Sequence, residues 1–117
     1  MVNVYDTAHK LASELKETDE YKEYKRLKEL AYEDGTNKAL LDELKHLQFR
    51  MQARAASGEK PDEEEMQKLM RISSLLQLNQ DASAYIVAEF RFQKLISDIY
   101  QILGEVAGID LDALTQA

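Results

Sequence analysis

Two pairs of residues in this sequence have the spacing of metal ligands on a helix. Asp6 and His9 are three positions apart, and so are Glu43 and His46. Bundles with a carboxylate-bridged metal pair use this spacing on two of their helices, with the ligands pointing inward. Here both pairs lie away from the apolar stripes that mark the buried sides of their helices, so the pattern favours two ordinary solvent-facing histidines. We therefore expect no metal site and no cofactor.

Other catalytic signatures are also missing from the sequence. The chain has no cysteine, which excludes thiolate nucleophiles, disulfides and cysteine-ligated metal clusters. It has no glycine-rich phosphate loop, no HExxH sequence and no nucleophile motif around any serine. We expect no catalytic residue and no enzymatic activity.

One strip of basic residues is a candidate binding surface. His46, Arg50 and Arg54 recur every four positions on a predicted helix, and Lys45 is adjacent to them. Such a strip would contact RNA or an acidic partner. A solvated face, or ion pairing with the acidic run 62–65, is the favoured interpretation. The net charge of −7 also disfavours direct binding to nucleic acid.

The elements that carry these residues are predicted to be helices. About half of the residues are Ala, Glu, Lys, Leu or Arg, and the chain has a single Pro and four Gly. This composition is typical of long helices. A length of 117 residues with 44% hydrophobic residues fits one domain. We predict a single all-α domain over residues 1–117, an antiparallel bundle of about five helices with a long C-terminal helix.

Capping residues and turn signals set the predicted boundaries. Gly35 is predicted to end the second helix, and the segment from Gly58 to Pro61 is predicted to form the turn of an antiparallel helical hairpin. On the third helix, the stripe of Leu40, Leu44, Leu47 and Met51 indicates the buried side. The predicted helices are 4–15, 18–34, 36–57, 62–79 and a last helix that follows the Asn79–Asp81 break and ends near Ala107.

The last predicted helix has more apolar surface than the preceding helices can cover. Its polar residues occupy a narrow arc, so it is either the central helix of a bundle or a helix shared between subunits. Sharing between subunits is favoured, and we expect a homodimer or a higher homo-oligomer. The candidate interface residues are Tyr85, Glu89, Phe90, Phe92, Ile96, Ile99, Tyr100 and Leu103.

One carboxylate falls inside the apolar arc of the last helix. Glu89 projects close to the directions of Phe92 and Ile96. A carboxylate in such surroundings needs a partner, and the candidates are Arg50, Arg54 or Arg91 of the same or another chain. The alternative is that Glu89 lies at an uncovered edge of the bundle.

The sequence has no segment typical of export or membrane insertion. Apolar and charged residues alternate from Met1 to Leu15, and no stretch approaches 18 apolar residues. We therefore expect a cytoplasmic location without membrane insertion.

Several short motifs, taken together in their order and spacing, resemble a known family. They are Tyr5-Asp6-x-Ala8, Leu47-Gln48-x-x-Met51-Gln52 followed by Gly58-Glu59, Ala88-Glu89-x-Arg91 and Leu95-Ile96-x-Asp98-Ile99. The chain resembles the YlbF/YmcA/YheA-like bacterial family over almost its whole length, most closely the YheA-type branch. The resemblance implies a small, self-associating helical protein of the cytosol without known enzymatic activity.

The resemblance also implies a kind of function. Members of the better understood branches regulate development, competence and biofilm formation, through a complex that influences messenger-RNA processing. Some of them supply cysteines for iron–sulfur clusters, which this chain lacks. We expect a non-enzymatic interaction or regulatory protein, with a second copy, and also another cytosolic protein, as candidate partners. The alternatives are an RNA-processing adaptor that uses the basic strip and, less favoured, a metal-dependent bundle enzyme.

Overall fold

The computed structural model describes residues 2–108, which form five α-helices. Helix α1 is Val4–Leu15, α2 is Asp19–Glu33, α3 is Gly35–Ala56, α4 is Glu63–Gln77 and α5 is Gln80–Ala107. No strand occurs within residues 2–108. The prediction of an all-α fold with a long C-terminal helix is confirmed.

A side-chain cap precedes each helix. In every case a side-chain oxygen accepts a hydrogen bond from a backbone N–H of the first turn, which would otherwise have no partner. The five caps are Asn3, Thr18, Asp34, Asp62 and Asn79. At the other end of α5, Gly108 has a φ of 73°, a left-handed conformation that ends the helix.

The junction between α2 and α3 differs from the prediction. Gly35 does not end α2, because it is the first residue of α3. The break is made by Asp34, whose extended backbone ends one helix and whose carboxylate accepts hydrogen bonds from the N–H groups of Thr36 and Asn37 at the start of the next. A capping aspartate therefore separates the two helices without a glycine stop.

The core lies between α2, α3, α4 and α5. Helix α2 packs along α5 and also contacts α3, and α4 packs against both α3 and α5. The buried apolar residues are Leu27 and Ala31 of α2, Leu41, Leu44 and Leu47 of α3, Ile72 and Leu76 of α4, and Ala82, Tyr85 and Ala88 of α5.

The buried side of α3 is rotated from the predicted stripe. Leu44 and Leu47 are buried as predicted, but Leu41 is buried too, whereas Leu40 and Met51 are only partly buried. The cause is that α3 contacts both α2 and α4, so its buried sector has to face two neighbours. A stripe of leucines at helical spacing therefore does not by itself give the centre of a buried sector that faces two neighbouring helices.

Helices α3 and α4 form the predicted antiparallel hairpin. The chain leaves α3 at Ala56 and passes through Gly58, whose φ is 76°. Near this turn an oxygen of Glu65 lies 3.7 Å from the guanidinium of Arg54, and further away Lys68 lies 2.8 Å from Glu43. The paired residue on α3 changes from 54 to 43 while the paired residue on α4 changes from 65 to 68, so the two helices run antiparallel.

The protein is flat and open. Its principal extents are 53 × 37 × 15 Å, and its radius of gyration is 17.0 Å, against about 13 Å for a compact domain of this length. The accessible surface is 8927 Å², whereas a compact monomer of this mass exposes about 6,500 Å². Helix α1 contains no buried residue. None of the helices in residues 2–108 is long and apolar enough to cross a membrane.

Candidate interaction surface beside α5

Three polar side chains connect α3 to α5. The hydroxyl of Tyr85 donates a hydrogen bond to the carboxylate of Glu89, one turn further along α5, at 2.5 Å. The ammonium of Lys45 on α3 donates to the oxygen of Tyr85 at 2.8 Å and lies 3.2 Å from the same Glu89 oxygen. The ammonium, the phenol and the carboxylate therefore each have a hydrogen-bond or ionic partner within this group.

Aromatic rings surround this group. The ring of Tyr32 meets that of Tyr85 edge to face at 5.8 Å, and the Lys45 ammonium lies 5.8 Å from the centre of the Tyr32 ring and 5.3 Å from that of Tyr85. Tyr24 of α2 lies 5.9 Å from Tyr85 and stacks on Phe92 at 5.2 Å. A row of rings along α2 and α5 thus covers the ion pair from one side.

The surroundings of the cluster shift two pKa values. Burial lowers the pKa of Lys45, but the charge and hydrogen bond of Glu89, together with Tyr32, outweigh burial and raise the pKa above its ordinary 10.5. For Tyr85, burial acts in the opposite direction: it is the largest cause that raises the pKa of the phenol, and the hydrogen bond to Glu89 adds to the shift. At neutral pH Lys45 is therefore a cation and Tyr85 an intact phenol, and neither acts as a base or nucleophile. The arrangement serves to hold α3 and α5 together.

An open groove of about 680 Å³ runs along α5 next to this cluster. Gln48 and Gln52 of α3 form part of its wall, and Tyr24 of α2 also lines it. The α5 side chains that line it are mostly apolar or uncharged: Ile86, Glu89, Phe90, Phe92, Gln93, Lys94, Ile96, Ser97 and Tyr100. The groove is open to solvent, a shape more typical of surfaces that bind a protein segment than of pockets that enclose a small molecule.

Apolar side chains remain uncovered along much of α5. Phe90 is 70% exposed, and beyond the groove Ile102, Leu103 and Val106 are 63%, 53% and 90% exposed. At 100° per residue, Ile102 and Val106 point away from the side that carries Phe90, so α5 exposes large apolar side chains on more than one side. Several exposed large apolar side chains on one helix mark interaction surfaces.

The candidate interface residues differ in how far they are buried. Tyr85 is fully buried within the subunit and cannot contact a partner, which corrects its place in that set. Phe92, Ile96 and Ile99 are partly buried, whereas Phe90, Tyr100 and Leu103 are exposed. The exposed members of the set remain candidates, and the buried one belongs to the core.

Glu89 is paired, but its partner is not an arginine. The carboxylate binds Lys45 and Tyr85, so the predicted pairing with Arg50, Arg54 or Arg91 of the same chain is wrong. The prediction failed because the rotation of α3 about its axis brings Lys45 rather than an arginine to face α5. A cue was available, since Lys45 follows Leu44 and lies four residues after Leu41, at the edge of the buried sector.

The predicted basic strip is divided between different partners. Lys45 belongs to the α3–α5 cluster, and Arg54 lies 3.3 Å from Glu59 and 3.7 Å from both Asp62 and Glu65. His46 and Arg50 are exposed on α3. The Gly58 turn therefore brings acidic residues onto Arg54, as in the favoured interpretation, and two of the four residues of the strip are already paired with carboxylates.

The carboxylate–histidine pairs do not assemble into a metal site. Asp6 accepts a hydrogen bond from the side chain of Asn3, and Glu43 pairs with Lys68, whose hydrogen bond lowers the pKa of that carboxyl. Both His9 and His46 are exposed. Within residues 2–108 no three His, Cys, Asp or Glu side chains are grouped so that they could hold a metal ion.

These features define the class: a flat, all-helical protein whose longest helix carries an uncovered apolar surface. The chain belongs to the family described as "Control of competence regulator ComK, YlbF/YmcA", whose model matches residues 4–106. The resemblance to the YlbF-like family is thereby confirmed.

Relatives with similar sequences match most of the chain. A UPF0342 protein of Halothermothrix orenii is 37% identical over 100 residues, which cover 86% of this chain and 85% of the relative. A UPF0342 protein of Caldicellulosiruptor bescii is 33% identical over 105 residues, covering 90% and 88%.

One solved structure shares the fold. It is the "Protein of Unknown Function (DUF964) from Bacillus stearothermophilus", and it superposes with a TM-score of 0.73 over 90% of this chain and 92% of that one. The two sequences are 17% identical, so this similarity concerns the fold alone.

Proposed function

We propose that this chain is a non-enzymatic regulatory protein of the cytoplasm that works as a homo-oligomer through the uncovered surface of α5. The observation that carries the proposal is the run of exposed apolar side chains from Phe90 to Val106. Water contact with such a surface is unfavourable by roughly 25 cal/mol for each Å² of apolar area, and a partner removes that cost.

The surface area supports a partner of substantial size. The chain exposes about 2,400 Å² more than a compact monomer of the same mass. A standard interface covers about 800 Å² on each partner. Helix α1, which contains no buried residue, contributes to this excess, and the total is still larger than the area that one such interface covers.

The family description supports a regulatory role. The family is described by its control of the competence regulator ComK. We extend this to the present chain as a role in bacterial developmental, competence or biofilm regulation. The cations of α3 are less suited to RNA as the target, because Lys45 and Arg54 are already paired with carboxylates.

Light scattering on the purified protein tests self-association. We expect a mass that is a multiple of 13.4 kDa at micromolar concentration. The double variant Phe90→Ser, Val106→Ser should lower that mass while its circular dichroism remains helical. The matched control is Leu78→Ser, since Leu78 is 85% exposed but lies outside α5. A wild-type monomer of 13.4 kDa would contradict the proposal.

A deletion experiment tests the regulatory role. In a bacterium that encodes this chain and becomes competent, deletion should change the cellular level of ComK, and the wild-type gene should restore it. The double variant of α5 should fail to restore the level although it accumulates normally. An unchanged ComK level after deletion, with unchanged biofilm formation, would argue against the regulatory proposal.

A further inference from the structure

One side of α5 carries a heptad pattern in which Phe90, Gln93 and Tyr100 are exposed, whereas Ile86 and Ser97 are partly buried and Ile86 also packs against the core. Ile86, Phe90, Gln93, Ser97 and Tyr100 follow one another at intervals of four, three, four and three residues. All five line the groove beside α5, and we call them the α5 seam. Such spacing keeps side chains on the line where one helix meets another. The seam therefore has the pattern of a helix–helix contact, and Phe90, Gln93 and Tyr100 are its solvent-exposed members.

Helix α3 leaves room for a second helix along the seam. Its side chains Gln48 and Gln52 form the opposite wall, and the space between the two walls is about 680 Å³. The seam covers 15 residues, or about 21 Å of helix axis. One helix of a partner chain would lie in this groove, with its side chains between those of the two walls.

We propose that the groove binds the α5 helix of a second copy, antiparallel and related by a two-fold axis, with Phe90 of each chain opposite Tyr100 of the other. This inference rests on the self-association proposed above and specifies its geometry. A two-fold axis makes the same patch serve both partners, so the patch has to complement itself.

The register follows from which residues meet. When Phe90 faces the partner's Tyr100, Gln93 faces the partner's Ser97, because both pairs are symmetric about position 95. Aromatic rings then meet aromatic rings at two sites, and polar side chains meet polar ones between them. Shifting the partner by one heptad would place Phe90 against Gln93 and leave the exposed rings without aromatic partners.

The antiparallel direction has a separate physical basis. In a parallel pair each residue would meet its own copy, so Ser97 would face Ser97 of the partner and leave a gap between larger neighbours. The helix dipoles would also be aligned side by side, whereas an antiparallel pair places opposite ends together. The amide groups of Gln48 and Gln52 line the groove, where they can donate hydrogen bonds to polar side chains of a partner helix or accept them.

Disulfide trapping tests the direction and the register, because the natural chain contains no cysteine. The single variants Phe90→Cys and Tyr100→Cys are purified separately, then mixed and oxidised. In the proposed geometry the mixture forms a covalent dimer that contains one chain of each variant. Neither variant alone should cross-link, because two copies of position 90 lie about 15 Å apart along the axis, beyond the reach of a disulfide.

Other cross-linking results would overturn the geometry. Cross-links within each variant alone would show a parallel pair, and an oligomer that gives no cross-link in any mixture would place the interface elsewhere. Both results would leave self-association intact, whereas a monomeric wild type would remove the proposed function itself. The exposed Leu78→Cys is the control for random collisions.

A second pair of variants covers the case in which losing a ring dissociates the oligomer. Gln93→Cys and Ser97→Cys keep both aromatic residues of the seam. Their mixture should cross-link faster than either variant alone if the register is right. Faster cross-linking within the single variants would contradict it.

Discussion

The ammonium of Lys45 lies 3.2 Å from the carboxylate of Glu89, although the two residues are 44 positions apart in the chain. Lys45 lies on α3 and Glu89 on α5, and Tyr85 hydrogen-bonds to both. The Glu89 side chain is 22% exposed and that of Lys45 is 40% exposed, so water screens the pair only in part. This contact fixes how α3 lies relative to α5 and so sets one wall of the groove.

Removing the carboxylate should destabilise the fold. We expect Glu89→Ala to lower the free energy of unfolding by about 1.5 to 3 kcal/mol, because Tyr85 and Lys45 both lose a charged hydrogen-bond partner. Urea unfolding of Glu89→Ala, Lys45→Ala and the double variant measures the coupling. The double variant should cost less than the sum of the two single ones.

An exposed ion pair is the control for this experiment. Glu23 lies 2.7 Å from Arg26 on α2, and both side chains are about half exposed. Glu23→Ala should cost less than about 0.5 kcal/mol, since exposed pairs three or four residues apart contribute little. Equal losses for Glu23→Ala and Glu89→Ala would show that the α3–α5 contact is no stronger than a surface pair.

Alkaline pH should weaken the same cluster. Folding raises the pKa of Lys45 above 10.5, through Glu89 acting against burial, and raises the pKa of Tyr85 above 10.0, first through burial. A group whose pKa is raised by folding stabilises the fold while it is protonated. That contribution is complete below the ordinary pKa and is lost as the pH rises. The free energy of unfolding should therefore fall above about pH 10.

The variant Tyr85→Phe isolates the contribution of the phenol. It should be less stable than the wild type at pH 7, because Glu89 and Lys45 lose a hydrogen-bond partner. Between about pH 9.5 and 11 its free energy of unfolding should fall less steeply than that of the wild type. Thermal unfolding followed by circular dichroism across this range measures both slopes. Identical slopes would mean that the Tyr85 pKa is not shifted by folding.

Two glycines should respond in opposite directions to the same substitution. Gly58 has a φ of 76°, whereas Gly35 begins α3 without a positive φ, and an added Cβ would meet nothing within 4 Å at either position. Gly58→Ala should cost about 1 to 2 kcal/mol from backbone strain. Gly35→Ala should be neutral or stabilise by up to about 1 kcal/mol, because alanine loses less entropy on folding. Chemical unfolding of both variants checks the difference, and equal effects would contradict it.

Much of the helix arrangement was predictable because its signals are local. Asn3, Thr18 and Asp62 are capping residues whose effect depends on the next three residues, and the helices predicted to begin at 4, 18 and 62 begin at Val4, Asp19 and Glu63. The prediction that Gly35 ends α2 was wrong, and the cause is again local. The capping carboxylate of Asp34 and the glycine are adjacent, and the sequence alone does not show which of them sets the boundary.

The contacts between helices were harder to predict because they depend on rotations about helix axes. One residue along a helix turns a side chain by about 100°, so a small difference in how α3 packs decides whether Lys45 or an arginine faces Glu89. The burial of Tyr85 has the same origin. Its place on the apolar stripe was evident, but the covering by Tyr24 and Tyr32 requires the position of α2.

The thickness of only 15 Å limits how many side chains this chain keeps away from water. Among large side chains, only Tyr85, Leu41, Leu47 and Leu76 are fully buried within residues 2–108. A substitution therefore removes a fully buried large side chain at few positions, and at many positions it changes only a partly or fully exposed one. A flat fold of this kind allows much of its sequence to change while the arrangement of its helices persists.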